Sequence, residues 1–154
     1  PPERKRAPLA DTDSVKESLR IKADTDAVWD TVGDFPSYPE WLAEFKESEV
    51  LATREDGWAE QVRFTLGAVG ITISMTLAYT YTDDRMTWTL VEGDMLQRLD
   101  GGYTIADNGD GTTTLTYELE VVSTVPLPGM VRRRIATKVV KDSLKAIRAR
   151  AEKA

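Results

Sequence analysis

Ile71-Thr72-Ile73-Ser74-Met75-Thr76-Leu77-Ala78-Tyr79-Thr80-Tyr81 alternates without a break between large apolar residues and small, mostly hydroxyl-bearing ones. Successive side chains of a strand point to opposite faces, so this stretch predicts one long strand with an apolar face and a hydroxyl-rich face. The same period recurs in Val62/Phe64/Leu66, Met86/Trp88/Leu90 and Leu115/Tyr117/Leu119/Val121. Several one-sided strands imply an antiparallel sheet whose apolar face must be covered. The C-terminal segment can cover it. It opens with Pro126-Leu127-Pro128-Gly129, after which Val131, Ile135, Val139, Val140, Leu144, Ile147 and Ala151 recur at helical spacing. Arg134, Lys138, Lys141, Lys145 and Arg148 form a narrow opposite stripe. So wide an apolar arc predicts a helix embraced by a curved sheet. Such a sheet leaves a cavity, and the function is expected there.

The rest of the chain fits this scheme. Residues 14–23 read as a first strand, with Val15, Leu19 and Ile21 alternating with charged residues. Asp24-Thr25-Asp26 caps a short helix through Val32, and Pro39 suits the first turn of another through Phe45. From residue 46 six strands follow, near 47–54, 58–66, 71–82, 85–92, 95–106 and 112–122. Turns such as Glu55-Asp56-Gly57, Asp83-Asp84 and Asn108-Gly109-Asp110-Gly111 separate them. Gly101-Gly102 inside a strand signals a bulge or a close backbone approach. Residues 1–12 read as a flexible tail and 13–154 as a single domain.

Composition removes whole classes of chemistry. The 154 residues are 41% hydrophobic and 30% charged, with neither cysteine nor histidine. Thiol chemistry, Ser-His-Asp triads and zinc sites are excluded in their usual forms, so no metal or cofactor is expected. No apolar run approaches the roughly 18 residues of a membrane span. The Pro- and Arg-rich N-terminus has no apolar stretch behind it, so no secretory signal is read and a cytoplasmic location is expected. Residues 132–153 carry nine Lys/Arg against two acids, a local charge of +7 that leaves −13 for the remainder of a chain of net −6. An acidic body with one basic helix argues against nucleic acid as a partner.

Val28-Trp29-Asp30-Thr31-Val32-Gly33-Asp34-Phe35-Pro36-Ser37-Tyr38-Pro39-Glu40-Trp41-Leu42 resembles the signature of START-like (SRPBCC) proteins of the polyketide cyclase/dehydrase and coenzyme Q-binding type. Residues 109–119 and Val125-Pro126-Leu127-Pro128-Gly129 add to the likeness, which runs from about residue 14 to 153. The resemblance implies the α+β helix-grip fold: about seven antiparallel strands curved round a long C-terminal helix, with two short helices after strand 1. It further implies a hydrophobic ligand held between sheet and helix. The superfamily includes lipid carriers, cyclases, hydrolases and toxins, so the likeness does not select an activity.

On that frame, alternation directs Phe64, Ile73, Met75, Leu77, Tyr79, Tyr81, Trp88, Leu90, Tyr103 and Tyr117 inward, to be met by Val131, Ile135 and Val139. These side chains either line a ligand site or fill a core. The tyrosine hydroxyls are the natural polar handles. Phe35, Tyr38 and Trp41 stand at the cavity mouth or plug one end of the grip. Glu60, Glu92 and Gln97 fall on the inward parity near strand ends, as polar groups of the cavity or of its rim. Leu127 and Met130 beside Arg132, Arg133 and Arg134 place an apolar turn next to a cationic cluster, a pattern suited to transient membrane contact or to a protein partner. Three readings follow. The first is a carrier or sensor of a lipid, isoprenoid quinone or polyketide-like molecule. The second is a cyclase/dehydrase working without histidine or metal. The third is an interaction module of the ribosome-associated toxin type. With no convergent acid–base pair in sight, the residues lean towards binding.

Overall fold

The computed structural model describes residues 12–68, 70–124 and 126–153. Nearly all of the tail expected over residues 1–12 lies outside them. Seven strands form one antiparallel sheet: β1 (Asp13–Ile21), β2 (Phe45–Thr53), β3 (Ala59–Ala68), β4 (Ile71–Tyr81), β5 (Arg85–Gly93), β6 (Leu96–Asp107) and β7 (Thr113–Ser123). The order across the sheet is β1-β7-β6-β5-β4-β3-β2. The meander therefore runs unbroken, and β1 closes against its last strand. Between β1 and β2 lie α1 (Thr25–Gly33), a 3₁₀ turn (Phe35–Ser37) and α2 (Tyr38–Trp41); α3 (Gly129–Lys153) ends the chain.

Local chemistry sets these boundaries. Asp24 caps α1 by accepting a hydrogen bond from the Ala27 amide at 2.9 Å. Pro36 and Pro39 sit at the starts of the next two short turns, where a missing N–H costs nothing. Gly101 is a close approach and not a bulge: a Cβ there would lie 3.0 Å from the Trp88 ring and collide with the Glu118 carbonyl. The β6–β7 ladder passes it in register. Its missing side chain lets the Trp88 indole lie across β6.

The core sits between the concave face and the helices. α3 packs on β1, β7 and α1, and the first turns after β1 close over β2. Ala136, Val140, Ser143, Leu144, Ile147 and Ala151 form its buried stripe. That stripe is narrower than the arc the sequence suggests. α3 lies along one edge of the sheet with its flank uncovered, and the sheet does not wrap it evenly. No described helix is long and apolar enough to cross a membrane.

Candidate ligand site on the concave face

Strand register stacks the inward residues into rows. Tyr79 pairs with Trp88, Trp88 with Gly101 and Gly101 with Leu119. In the next row Tyr81 pairs with Met86, Met86 with Tyr103 and Tyr103 with Tyr117. Trp88 leans through the space left by Gly101 and meets Tyr103 and Tyr117 edge-on, with ring centroids 5.1 and 5.6 Å away. Tyr103 and Tyr117 are 4.8 Å apart, and Tyr79 lies 5.9 Å from Trp88. The result is an aromatic floor whose edge-to-face contacts fix each ring.

The five tyrosines divide into two groups. Tyr38 donates its hydroxyl to the Val32 carbonyl, and Tyr81 donates to the Ala59 carbonyl at 2.6 Å. Both hydroxyls are fasteners. Tyr79, Tyr103 and Tyr117 are only 6%, 7% and 7% exposed, yet their hydroxyls have no hydrogen-bond partner among the described residues. The Trp88 indole N–H has none either. Among the described residues, Ser48 Oγ is the one side-chain polar atom both sealed from solvent and unpartnered. The three phenols and the indole are therefore not fully sealed, although their side chains are buried among mostly apolar neighbours. A buried polar group normally finds a partner, so four open donors on one floor demand an explanation. Burial pushes the Tyr79, Tyr103 and Tyr117 hydroxyls up from their ordinary pKa, and for Tyr79 and Tyr103 the neighbouring phenols push in the same direction. They remain protonated, and so remain donors.

Burial along the concave face is graded. At the end where β1 finishes, Ile21, Val62, Met86, Ile105 and Leu115 are fully or almost fully buried. At the end where β1 begins, Leu66, Ile73, Leu90, Leu99 and Val121 are half-buried. On α3, Val131, Ile135 and Val139 are not among the apolar residues packed on the core, although Val140, Leu144, Ile147 and Ala151 are. α3 thus packs on the core through Val140, Leu144, Ile147 and Ala151, while Val131, Ile135 and Val139 in its first half are exposed or half-buried. The first turn is held by an ion pair instead: Arg132 Nε lies 3.1 Å from Asp13 Oδ2, with side chains 17% and 5% exposed.

The other expected residues are placed as follows. Phe64, Met75 and Leu77 are buried in the core. Phe35 and Tyr38 are sealed, Phe35 4.7 Å from Tyr79 and Tyr38 stacked 5.8 Å from Phe64, so they plug that side of the grip. Trp41 sits at the rim, its indole donating to Ser37 Oγ at 2.9 Å and Arg150 lying over its ring. Glu60 is exposed in an open groove of about 440 Å³ that also involves Arg54, Gln61, Ala78 and Thr80. The inward parity expected of Glu92 fails for a physical reason: the ladder shifts between Thr76 and Leu77, Val91 becomes the extra residue, and Glu92 pairs with Thr76 on the outer face. Gln97 is exposed where the β6–β7 register also shifts. Arg132 is spent on Asp13 and leaves the cationic cluster. Arg133 and Arg134 stay exposed, in a groove of about 620 Å³ along α3 shared with Met130, Thr137, Lys141 and Lys145.

Sequence reading missed Glu17, which is half-buried on the concave face opposite Tyr117 and has no ion pair among the described residues. Its position on the Val15/Leu19/Ile21 parity was the available signal. No three His, Cys, Asp or Glu side chains among the described residues cluster as metal ligands do.

A family model described as polyketide cyclase / dehydrase and lipid transport matches residues 12–152. The chain belongs to that family. Its fold agrees with solved structures of comparable length. A START superfamily protein from Mycobacterium smegmatis is 26% identical, with a TM-score of 0.84 over 91% of this chain and 97% of that one. The Zhui aromatase/cyclase from Streptomyces sp. R1128 is 16% identical, with a TM-score of 0.77 over 92% and 94%. A protein from Thermus thermophilus is 22% identical, with a TM-score of 0.74 over 90% and 96%. The last two likenesses establish the helix-grip fold and nothing finer. No curated protein matches the chain.

Proposed function

We propose that this START-like protein binds a neutral, largely hydrophobic molecule between the concave sheet and the first half of α3, as a carrier or sensor. The observation that carries the reading is the set of four open donors, Tyr79, Tyr103 and Tyr117 hydroxyls and the Trp88 N–H, on an otherwise apolar floor. Donors without partners call for acceptors, and a ligand bearing carbonyl or quinone oxygens on an aromatic or polyene body supplies them. A carboxylate ligand fits poorly, because no Lys or Arg is among the buried residues of this floor. A quinone or poly-keto compound is therefore favoured over a fatty acid. Glu17 lies on the edge strand in the Tyr103–Tyr117 row and can accept a hydrogen bond from a ligand hydroxyl.

The same floor supports a second reading. Phenols that hold carbonyl oxygens in a bent poly-keto chain would also promote ring closure by orientation, as the family description and the aromatase/cyclase neighbour suggest. Binding is the more economical reading, since Glu17, the carboxylate opposite Tyr117, sits on the edge strand and is only half-buried.

Titration of the intrinsic tryptophan emission with a naphthoquinone and, in parallel, with a long-chain fatty acid separates the chemistries. Saturable quenching by the quinone, weakened several-fold by Tyr103→Phe/Tyr117→Phe, supports the reading. Preference for the fatty acid, or quenching indifferent to the two hydroxyls, refutes it.

A further inference from the structure

We infer that Glu17 and Tyr117 together bind a hydroxyl group of the ligand, and that the Glu17 charge keeps anionic molecules out of the site. The inference deepens the ligand reading above and rests on it. Glu17 falls on the inward parity of β1, between Val15 and Leu19, which both pack on the core. The β1–β7 ladder sets it directly opposite Tyr117. Side chains paired in this way on one face lie close enough to interact. Yet no hydrogen bond joins the two, and neither finds another partner among the described residues.

A carboxylate among apolar neighbours ordinarily recruits a cation. Asp13, on the same face of β1, has Arg132 at 3.1 Å. Glu17 lies beneath the most basic segment of the chain, because α3 is tied to both ends of β1. Arg132 holds Asp13 at one end, and at the other Glu152 accepts a hydrogen bond from the Lys22 amide at 2.7 Å. The nine Lys/Arg of residues 132–153 nevertheless leave Glu17 unpaired among the described residues. The buried stripe of α3, from Ala136 to Ala151, contains no cation. An acceptor and a donor thus stand side by side with no protein group serving either, which buried polar groups rarely do.

One ligand hydroxyl satisfies both groups, since it accepts from the Tyr117 phenol and donates to the Glu17 carboxylate. A carbonyl oxygen would answer the phenol alone and leave Glu17 unpaired. An ammonium group would answer Glu17 alone and offer the Tyr117 O–H nothing to donate to. A carboxylate or phosphate would set a second negative charge beside the first, among mostly apolar side chains where the repulsion is poorly screened. The ligand therefore turns carbonyl oxygens towards Tyr79, Tyr103 and the Trp88 N–H, and an alcohol or phenol towards β1. The empty protein bears the cost. A half-buried charge flanked by Val15 and Leu19 contributes nothing to the fold, so its removal should do the fold no harm.

The test uses methylanthraquinone and hydroxymethylanthraquinone of the same substitution pattern, both neutral and differing by a single oxygen. Quenching of the tryptophan emission measures their binding to the intact chain. The hydroxymethyl compound should bind about tenfold more tightly, the lower range for a hydrogen bond to a charged group. Glu17→Leu and Tyr117→Phe should each reduce that ratio to about twofold or less, and the double variant should lose little more, because both groups hold one hydroxyl. Glu17→Gln should bind dodecanoate several-fold more tightly than the parent does. The Tm of Glu17→Leu should equal or exceed that of the parent, with circular dichroism checking the fold of each variant. Equal binding of the two anthraquinones by the parent, or a preference that survives Glu17→Leu, overturns the inference and leaves the ligand reading standing. A Glu17→Leu variant that loses thermal stability along with the preference also overturns it, since the carboxylate would then be holding the structure. If neither anthraquinone binds, the inference falls, and naphthoquinone binding decides whether the ligand reading falls with it.

Discussion

The division of the tyrosines makes a sharp prediction about five single-atom deletions. Removing the Tyr38 hydroxyl leaves the buried Val32 carbonyl without its donor, and removing that of Tyr81 does the same to Ala59. Each loss should cost about 1–2 kcal/mol, the net value of a hydrogen bond plus part of the penalty for an orphaned carbonyl. For a domain of this size that is a fall in Tm of roughly 3–8 °C. Tyr79, Tyr103 and Tyr117 make no such bond among the described residues. Their conversion to Phe deletes an unsatisfied polar atom and should leave stability within about 0.5 kcal/mol of the parent, or raise it. Urea unfolding followed by far-UV circular dichroism, with the slope constrained, resolves the two classes. The hydroxyls that matter least to the fold should matter most to ligand. If Tyr103→Phe and Tyr117→Phe destabilise as much as Tyr38→Phe, those hydroxyls have protein partners and the open-floor argument fails.

Three further outcomes follow from the same contacts. Buried Tyr38, Tyr79, Tyr103 and Tyr117 have pKa values raised by folding, so the native state keeps phenolic protons that the unfolded chain releases; stability should be unaffected by them below about pH 9 and fall above about pH 10 by up to roughly 1.4 kcal/mol per pH unit for each phenol, with phenolate absorbance appearing together with unfolding. Early, reversible titration of these four phenols in the folded protein would contradict this. Gly101→Val drives a side chain into Trp88 and the Glu118 carbonyl, and should cost about 3 kcal/mol or more with loss of the near-UV tryptophan signal; an unchanged signal would mean that Trp88 does not use that space. Asp13→Ala strips Arg132 of its buried partner and should cost about 2–4 kcal/mol, with hydrogen exchange rising first over residues 129–139; uniform loss of protection would show that the first half of α3 is not separately fastened.

Strand alternation was a reliable guide wherever the ladder runs in register. Thr113 to Leu119 bury the residues their period assigns, and so do Met75, Leu77 and Tyr79 in β4, although Ile71 is exposed and Thr76, on the opposite parity, is buried too. Glu92 escaped the same reading because a bulge leaves no mark in a sequence period; one extra residue, Val91, reverses every later side chain of β5. The α3 wheel is informative only in part: its buried stripe is narrower than its apolar arc. Val131, Ile135 and Val139 were expected to face the sheet across a ligand site or core, and apolar spacing says only that a residue avoids water, not what it packs on. The partition of the tyrosines was hidden for a similar reason: Tyr38 reaches the Val32 carbonyl at the end of α1 and Tyr81 the Ala59 carbonyl at the start of β3, and no local pattern distinguishes them from Tyr103. Gly101-Gly102 was legible as a position where something approaches closely, though not that Trp88 is what approaches.

Native mass spectrometry of freshly purified protein, followed by solvent extraction of any adduct, tests the central claim most directly. The account predicts a one-to-one adduct that is neutral, rich in carbonyl or quinone oxygen, and lost in Tyr103→Phe/Tyr117→Phe while the protein stays folded. A bare mass that no quinone, polyketide or isoprenoid restores, or a bound fatty acid indifferent to those hydroxyls, would contradict it.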